Sequence, residues 1–130
     1  MNPLQKIFSM FSEPTQSDAD LNWNIIETEK DLENIWQRSE ERPQLIYKHS
    51  TICSFSSMAK NELAAKSEEI QEKADINYLG VIESRPLSKK VASDLGVRHE
   101  SPQAIVVKDG KAVWDASHGG VRGKSILKQL

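Results

Sequence analysis

The chain has 130 residues, with 17 Lys and Arg against 19 Asp and Glu and a net charge of −2, a size that suits one domain around one hydrophobic core. The basic residues are dispersed, so no electrostatic footprint for nucleic acid is present, and no apolar run approaches the roughly 20 residues that span a bilayer. The single cysteine, Cys53, cannot make an internal disulfide, which excludes a disulfide-stapled secreted scaffold and points to the cytoplasm, where thiols stay reduced.

Residues 1–20 open with a broken apolar patch (Leu4, Ile7, Phe8, Met10, Phe11) and continue as a polar, linker-like run through Asp20. That composition predicts a mobile extension, with a domain over residues 21–130. Trp23 to Thr28 reads as a short strand, and Thr28 with Asp31 three residues on reads as a capped helix start. Leu32, Ile35 and Trp36 give that helix one apolar face, and Arg42-Pro43 ends it. Gln44 to His49 is a compact strand suited to a sheet interior. From Cys53 to Lys73 the absence of Gly and Pro predicts one long helix, and Ile76 to Glu83 a third strand.

Strand, helix and strand in this order imply a right-handed crossover and a parallel pair. Arg85-Pro86-Leu87 starts the next helix, with Pro86 near its first turn and Gly96 just past its end. Pro102 precedes a strand over Gln103 to Lys108, and Asp109-Gly110 is a strong hairpin signal into Lys111 to Ala116. Gly119-Gly120 breaks the chain before a closing helix over Val121 to Leu130. The order is β-α-β-α-β-α-β-β-α, an α/β class with a mixed central sheet flanked by helices, and it resembles the thioredoxin-like arrangement.

Cys53 follows the second strand and opens the second helix, where unpaired N–H groups and the positive end of the helix dipole favour a thiolate. A stabilised thiolate gains little as a nucleophile, because nucleophilicity falls with basicity, but it leaves more readily when a captured thiol is removed. Thr51, Ser54 and Ser56 can add hydroxyl donors. Ser101-Pro102 stands where this fold keeps a cis-proline facing the cysteine. The expected site is therefore Cys53 as catalytic residue, with Thr51, Ser54, Ser56, Ser101 and Pro102 binding substrate.

His49 could assist Cys53, though a strand-end histidine that packs or hydrogen-bonds is the simpler reading. His118 could line a small-thiol pocket, and His99 reads as surface. Three scattered histidines and one cysteine make no metal site. Gly120 to Ser125 is no phosphate loop, because His118 stands where its first glycine would be. Trp23, Trp36 and Trp114 read as core.

Cys53-Ser54-Phe55-Ser56 has the C-x-x-S form of monothiol thioredoxin-like proteins. The wider string from His49 to Ala59, with Glu100-Ser101-Pro102-Gln103-Ala104 and Trp114-Asp115-Ala116-Ser117-His118, resembles the monothiol bacilliredoxins over residues 23–130. The resemblance implies a thiol-disulfide oxidoreductase that removes bacillithiol from mixed disulfides on S-thiolated client proteins, Cys53 receiving the thiol. It implies no tightly bound cofactor, bacillithiol as co-substrate, and a low-molecular-weight thiol or its reductase system as a partner. With Ser56 where dithiol relatives keep a second cysteine, an external thiol must resolve the Cys53 adduct. Two other readings stand beside it. One is a monothiol glutaredoxin-like iron–sulfur carrier, although Ser54 departs from the usual Gly; the other is a non-catalytic binding module.

Overall fold

Along β2 (Gln44–His49) every residue is buried, so alternate side chains on this one strand feed cores on both faces of the sheet. The computed structural model describes residues 22–130; the extension expected over residues 1–20 lies outside them. In chain order the described elements are β1 (Asn24–Ile25), α1 (Glu29–Arg38), β2, α2 (Ser54–Ala65) and α3 (Ser67–Gln71). There follow β3 (Asp75–Gly80), α4 (Arg85–Leu95), β4 (Gln103–Lys108), β5 (Lys111–Ser117), a 3-10 turn over His118–Gly120, and α5 (Gly123–Leu127).

The sheet runs β1-β3-β2-β4-β5. β3 is parallel to β1 and to β2, whereas β4 is antiparallel to both β2 and β5. Leu45 and Tyr47 of β2 and Ala104 and Val106 of β4 point to one face, where they meet Ala59, Leu63, Ile70 and Ile126. Ile46, Ile105 and Val107 point to the other, against Leu32, Ile35, Leu87 and Val91. A buried Leu or Ile stabilises by roughly 1.5–3 kcal/mol, so the two middle strands tie both helical layers to one frame.

The local signals act as their chemistry requires. Thr28 Oγ1 accepts from the Asp31 N–H while Asp31 Oδ2 accepts from the N–H groups of Glu27 and Thr28. These contacts satisfy donors that a helix start leaves open. Asp109 and Gly110 both have positive φ, 51° and 72°, the backbone that a tight hairpin needs.

Two expected elements differ. The long helix after Cys53 breaks at Lys66, whose φ of −112° and ψ of 11° leave the helical region. No Gly or Pro marks this break; tertiary contacts surround it. Trp23 Nε1–H donates to Ser67 Oγ at 2.9 Å, and Gly123 presses against Lys66 so closely that a Cβ there would lie 2.5 Å from Lys66 Cγ. The third strand ends at Gly80 instead of running to Glu83, and residues 81–84 form a turn that delivers Arg85 to the start of α4. The strand expected over Trp23 to Thr28 shrinks to Asn24–Ile25, because Trp23 turns into the core and Thr28 is taken up as a cap.

Candidate active site

Three segments meet at the C-terminal edge of the parallel strands: the turn after β2, the start of α4, and the connection from α4 to β4. Ser50 to Cys53 form the first, closed by the Cys53 N–H donating to the Ser50 carbonyl at 3.2 Å. Cys53 is the N-cap of α2, with extended backbone (φ −106°, ψ 123°), and its side chain makes no capping hydrogen bond. Its sulfur is therefore not used to hold the helix, and the residue is partly exposed.

Beside it opens a cleft of about 690 Å³. Ser50, Ile52, Cys53 and Ser54 form one wall, Arg85, Ser88 and Lys89 of α4 another, and His99 and Ser101 close it. The Ser101–Pro102 peptide bond is cis, as expected, and the buried Pro102 has its carbonyl taken by the His118 N–H at 2.9 Å. Ser101 Oγ is enclosed and has no hydrogen-bond partner.

The expected substrate-binding residues separate into groups. Ser54 and Ser101 line the cleft with Cys53. Thr51 is exposed next to it but is not part of its wall. Pro102 is buried behind Ser101 and does not line the cleft either. Ser56 is fully buried, and its Oγ accepts from the Ser50 N–H at 3.1 Å. It therefore acts on the turn that carries Cys53 and not on a bound molecule, which corrects its expected role: at the first turn of α2 its side chain faces inward.

His49 is buried, with Nδ1 2.7 Å from Tyr47 Oη, which also donates to the Ser56 carbonyl. His49 and Tyr47 thus brace the turn from below, consistent with the packing reading. His118 does not line the cleft. It stands edge-on to the Phe55 ring at 6.2 Å and has Nε2 3.7 Å from Glu100 Oε2. Beside the thiol, Ile52 and Ile82 line the cleft and are exposed at 83% and 37%, an apolar rim.

Sequence reading missed Lys48, Arg85 and Lys89, and for His99, exposed as expected, it missed the part in the cleft wall. Lys48 is fully buried on β2, on the face opposite Tyr47. Its Nζ donates to the Ser88 carbonyl at 3.2 Å and lies 3.1 Å from His99 Nδ1, which is also 3.2 Å from Ser88 Oγ. Burial pulls the Lys48 ammonium down to about 8. His99 is lowered too, first by desolvation and then by the Lys48 charge. A neutral His99 accepting at Nδ1 carries its proton on Nε2. Gln103 Nε2–H donates to the Arg98 carbonyl at 2.9 Å and so fixes the segment bearing His99. The spacing of Arg85 and Lys89, one turn apart on one helical face, was the one legible signal for this wall.

A mixed five-stranded sheet with one thiol at a helix start and a cis-proline at the adjoining strand defines a thioredoxin-fold protein of the thiol-redox class. The model of the monothiol bacilliredoxin family matches residues 24–126, and the chain belongs to that family. A solved structure described as a candidate oxidoreductase with a thioredoxin fold is similar at 30% identity and a TM-score of 0.70, over 81% of this chain and 90% of that one. The thioredoxin of Malassezia sympodialis is 15% identical with a TM-score of 0.67, over 83% of this chain and 90% of its own. That of Fasciola hepatica is 20% identical with a TM-score of 0.65, over 82% and 94%. Among the described residues no helix is long and apolar enough to cross a membrane.

Proposed function

We propose that this protein is a cytoplasmic monothiol oxidoreductase that removes bacillithiol, or a similar low-molecular-weight thiol, from mixed disulfides on client proteins by transfer to Cys53. The observation that carries this reading is a single, partly exposed thiol at a helix start beside an open cleft, in a chain of the bacilliredoxin family. The Cys53 thiolate attacks the small-thiol sulfur of the mixed disulfide. A Cys53–small-thiol disulfide forms, the client sulfur leaves as a thiolate, and that thiolate takes a proton from water. A second small thiolate then attacks the adduct, releases Cys53 as a thiolate, and carries both small thiols away as their disulfide.

The second step needs an outside thiol because Ser56 cannot form a disulfide. The apolar rim of Ile52 and Ile82 suits contact with a client surface, and the cleft suits the small thiol. No tightly bound cofactor enters the cycle; the small thiol is the co-substrate, and its own reductase system completes the turnover.

The experiment is to incubate the purified protein with a bacillithiolated client and follow both masses. The adduct moves to wild-type protein and does not move to the Cys53→Ser variant. Equal loss of the client adduct with both proteins overturns the reading.

A further inference from the structure

The wall of the cleft opposite Cys53 carries a charge pattern that thiol exchange alone does not require. Arg85 and Lys89 stand one turn apart on α4 and face the same space. Arg85 is the first residue of α4, and the first turn of that helix has no acidic residue. A cation there opposes the positive end of the helix dipole, so its position does not serve the helix. Beneath them lies Lys48, a fully buried ammonium whose two polar partners are the Ser88 carbonyl and His99 Nδ1.

No Asp or Glu lies within ion-pair distance of Lys48 among the described residues, and none lines the cleft. A buried charge without a counter-charge is costly. The cleft therefore presents two surface cations and a third behind His99; the Glu100 carboxylate acts on His99 from the adjoining residue but does not line the cleft.

We propose that this wall is an anion subsite: Arg85 and Lys89, with His99 held by the buried Lys48, bind carboxylate groups of the small thiol whose sulfur meets Cys53. This rests on the exchange reading above and adds which side chains of this protein hold the acid groups of that thiol and set the charge preference of the site. Arg85 can take a carboxylate in a two-pronged contact, Lys89 adds a point charge, and His99 offers its Nε2–H. The cationic character persists at neutral pH, since Lys48 is still mostly protonated below its value of about 8.

The test uses three small disulfides that differ in charge: 3,3′-dithiodipropionate (dianionic), bis(2-hydroxyethyl) disulfide (neutral) and cystamine (dicationic). In each, Cys53 displaces one half as a thiolate and keeps the other as a mixed disulfide, read by intact mass against time. The decisive quantity is the ratio of the anionic to the cationic rate constant, in which any shared effect on Cys53 cancels. Wild type favours the anionic disulfide by roughly tenfold at low ionic strength. The preference shrinks in ~0.5 M salt, where screening shortens the reach of the charges.

The Arg85→Glu/Lys89→Glu variant loses or inverts the ratio, and Arg85→Lys keeps part of it. A wild-type ratio near one, or a ratio that survives the double reversal, overturns the subsite. If no disulfide reacts, the exchange reading has failed, and the subsite is decided in the Cys53→Ser variant by titrating succinate. Shifts of the Lys89 and His99 amide resonances that vanish on double reversal support it; their absence overturns it.

Discussion

Lys48 Nζ lies 3.1 Å from Nδ1 of His99, joining the centre of the sheet to the cleft that Cys53 opens on. A lysine in the middle strand of a sheet is an expensive choice, and its consequences can be measured.

Replacing Lys48 by Met keeps the stem and removes the charge. The folded state lowers the lysine from 10.5 to about 8, so between those values the unfolded chain binds more protons than the folded one, and wild-type stability rises with pH. Lys48→Met is then more stable than wild type at pH 7, by at most roughly 3.5 kcal/mol at about 1.4 kcal/mol per pH unit of displacement. The gap closes as the pH approaches 10.5. Denaturant unfolding at pH 7, 8.5 and 10 reads it directly; a gap constant across the series refutes the assignment.

Ser56 separates capture from release. Ser56→Ala removes the acceptor for the Ser50 N–H and costs about 1 kcal/mol of stability, while the Cys53 adduct still forms. Ser56→Cys places a second thiol three residues from Cys53, so a captured small thiol is expelled by an internal disulfide without any external thiol. Intact mass after mixing with a mixed disulfide distinguishes the two variants. Persistence of the adduct in Ser56→Cys is the contrary result.

Gly123 allows α5 to close on the end of α2. In Gly123→Ala the added Cβ meets Lys66 Cγ at 2.5 Å, Lys66 Cβ at 2.8 Å and the Glu62 carbonyl oxygen at 3.0 Å. Lys66 Cγ can rotate away, but its Cβ and a backbone oxygen cannot, so α5 must shift. The expected cost is about 1–3 kcal/mol, read as a lower denaturation midpoint; an unchanged midpoint would show that the contact yields freely.

Asp31 gives the fold an acid-sensitive cap. Its carboxyl lies below the ordinary value of 3.8, chiefly through the Glu27 N–H, with Thr28 adding to the effect. A depressed carboxylate stabilises above its ordinary value, and that contribution is lost as the pH falls through the folded one. Thermal melts of wild type and Asp31→Asn therefore differ at pH 6 and converge toward pH 3. Parallel curves would assign the difference to something other than the carboxylate.

By itself the sequence determined every element that local chemistry governs. The compact apolar run of β2, the Thr28–Asp31 box, Pro86 and Gly96 around α4, and the Asp109-Gly110 hairpin are each decided by neighbours in the chain. Cys53 at a helix start was legible for the same reason. Only the tertiary structure decided what depends on distant partners. The helix after Cys53 breaks at Lys66 amid contacts from Trp23 and Gly123, which composition does not reveal. Ser56 left the expected binding set because its hydroxyl is taken by the Ser50 N–H. His99 is exposed, as it reads in the sequence, but its place in the cleft wall depends on Lys48, a buried cation 51 residues earlier in the chain, whose Nζ it meets. Hydrogen bonds within one turn are written in spacing, whereas a charge shared between a strand and a distant loop exists only once the chain has folded.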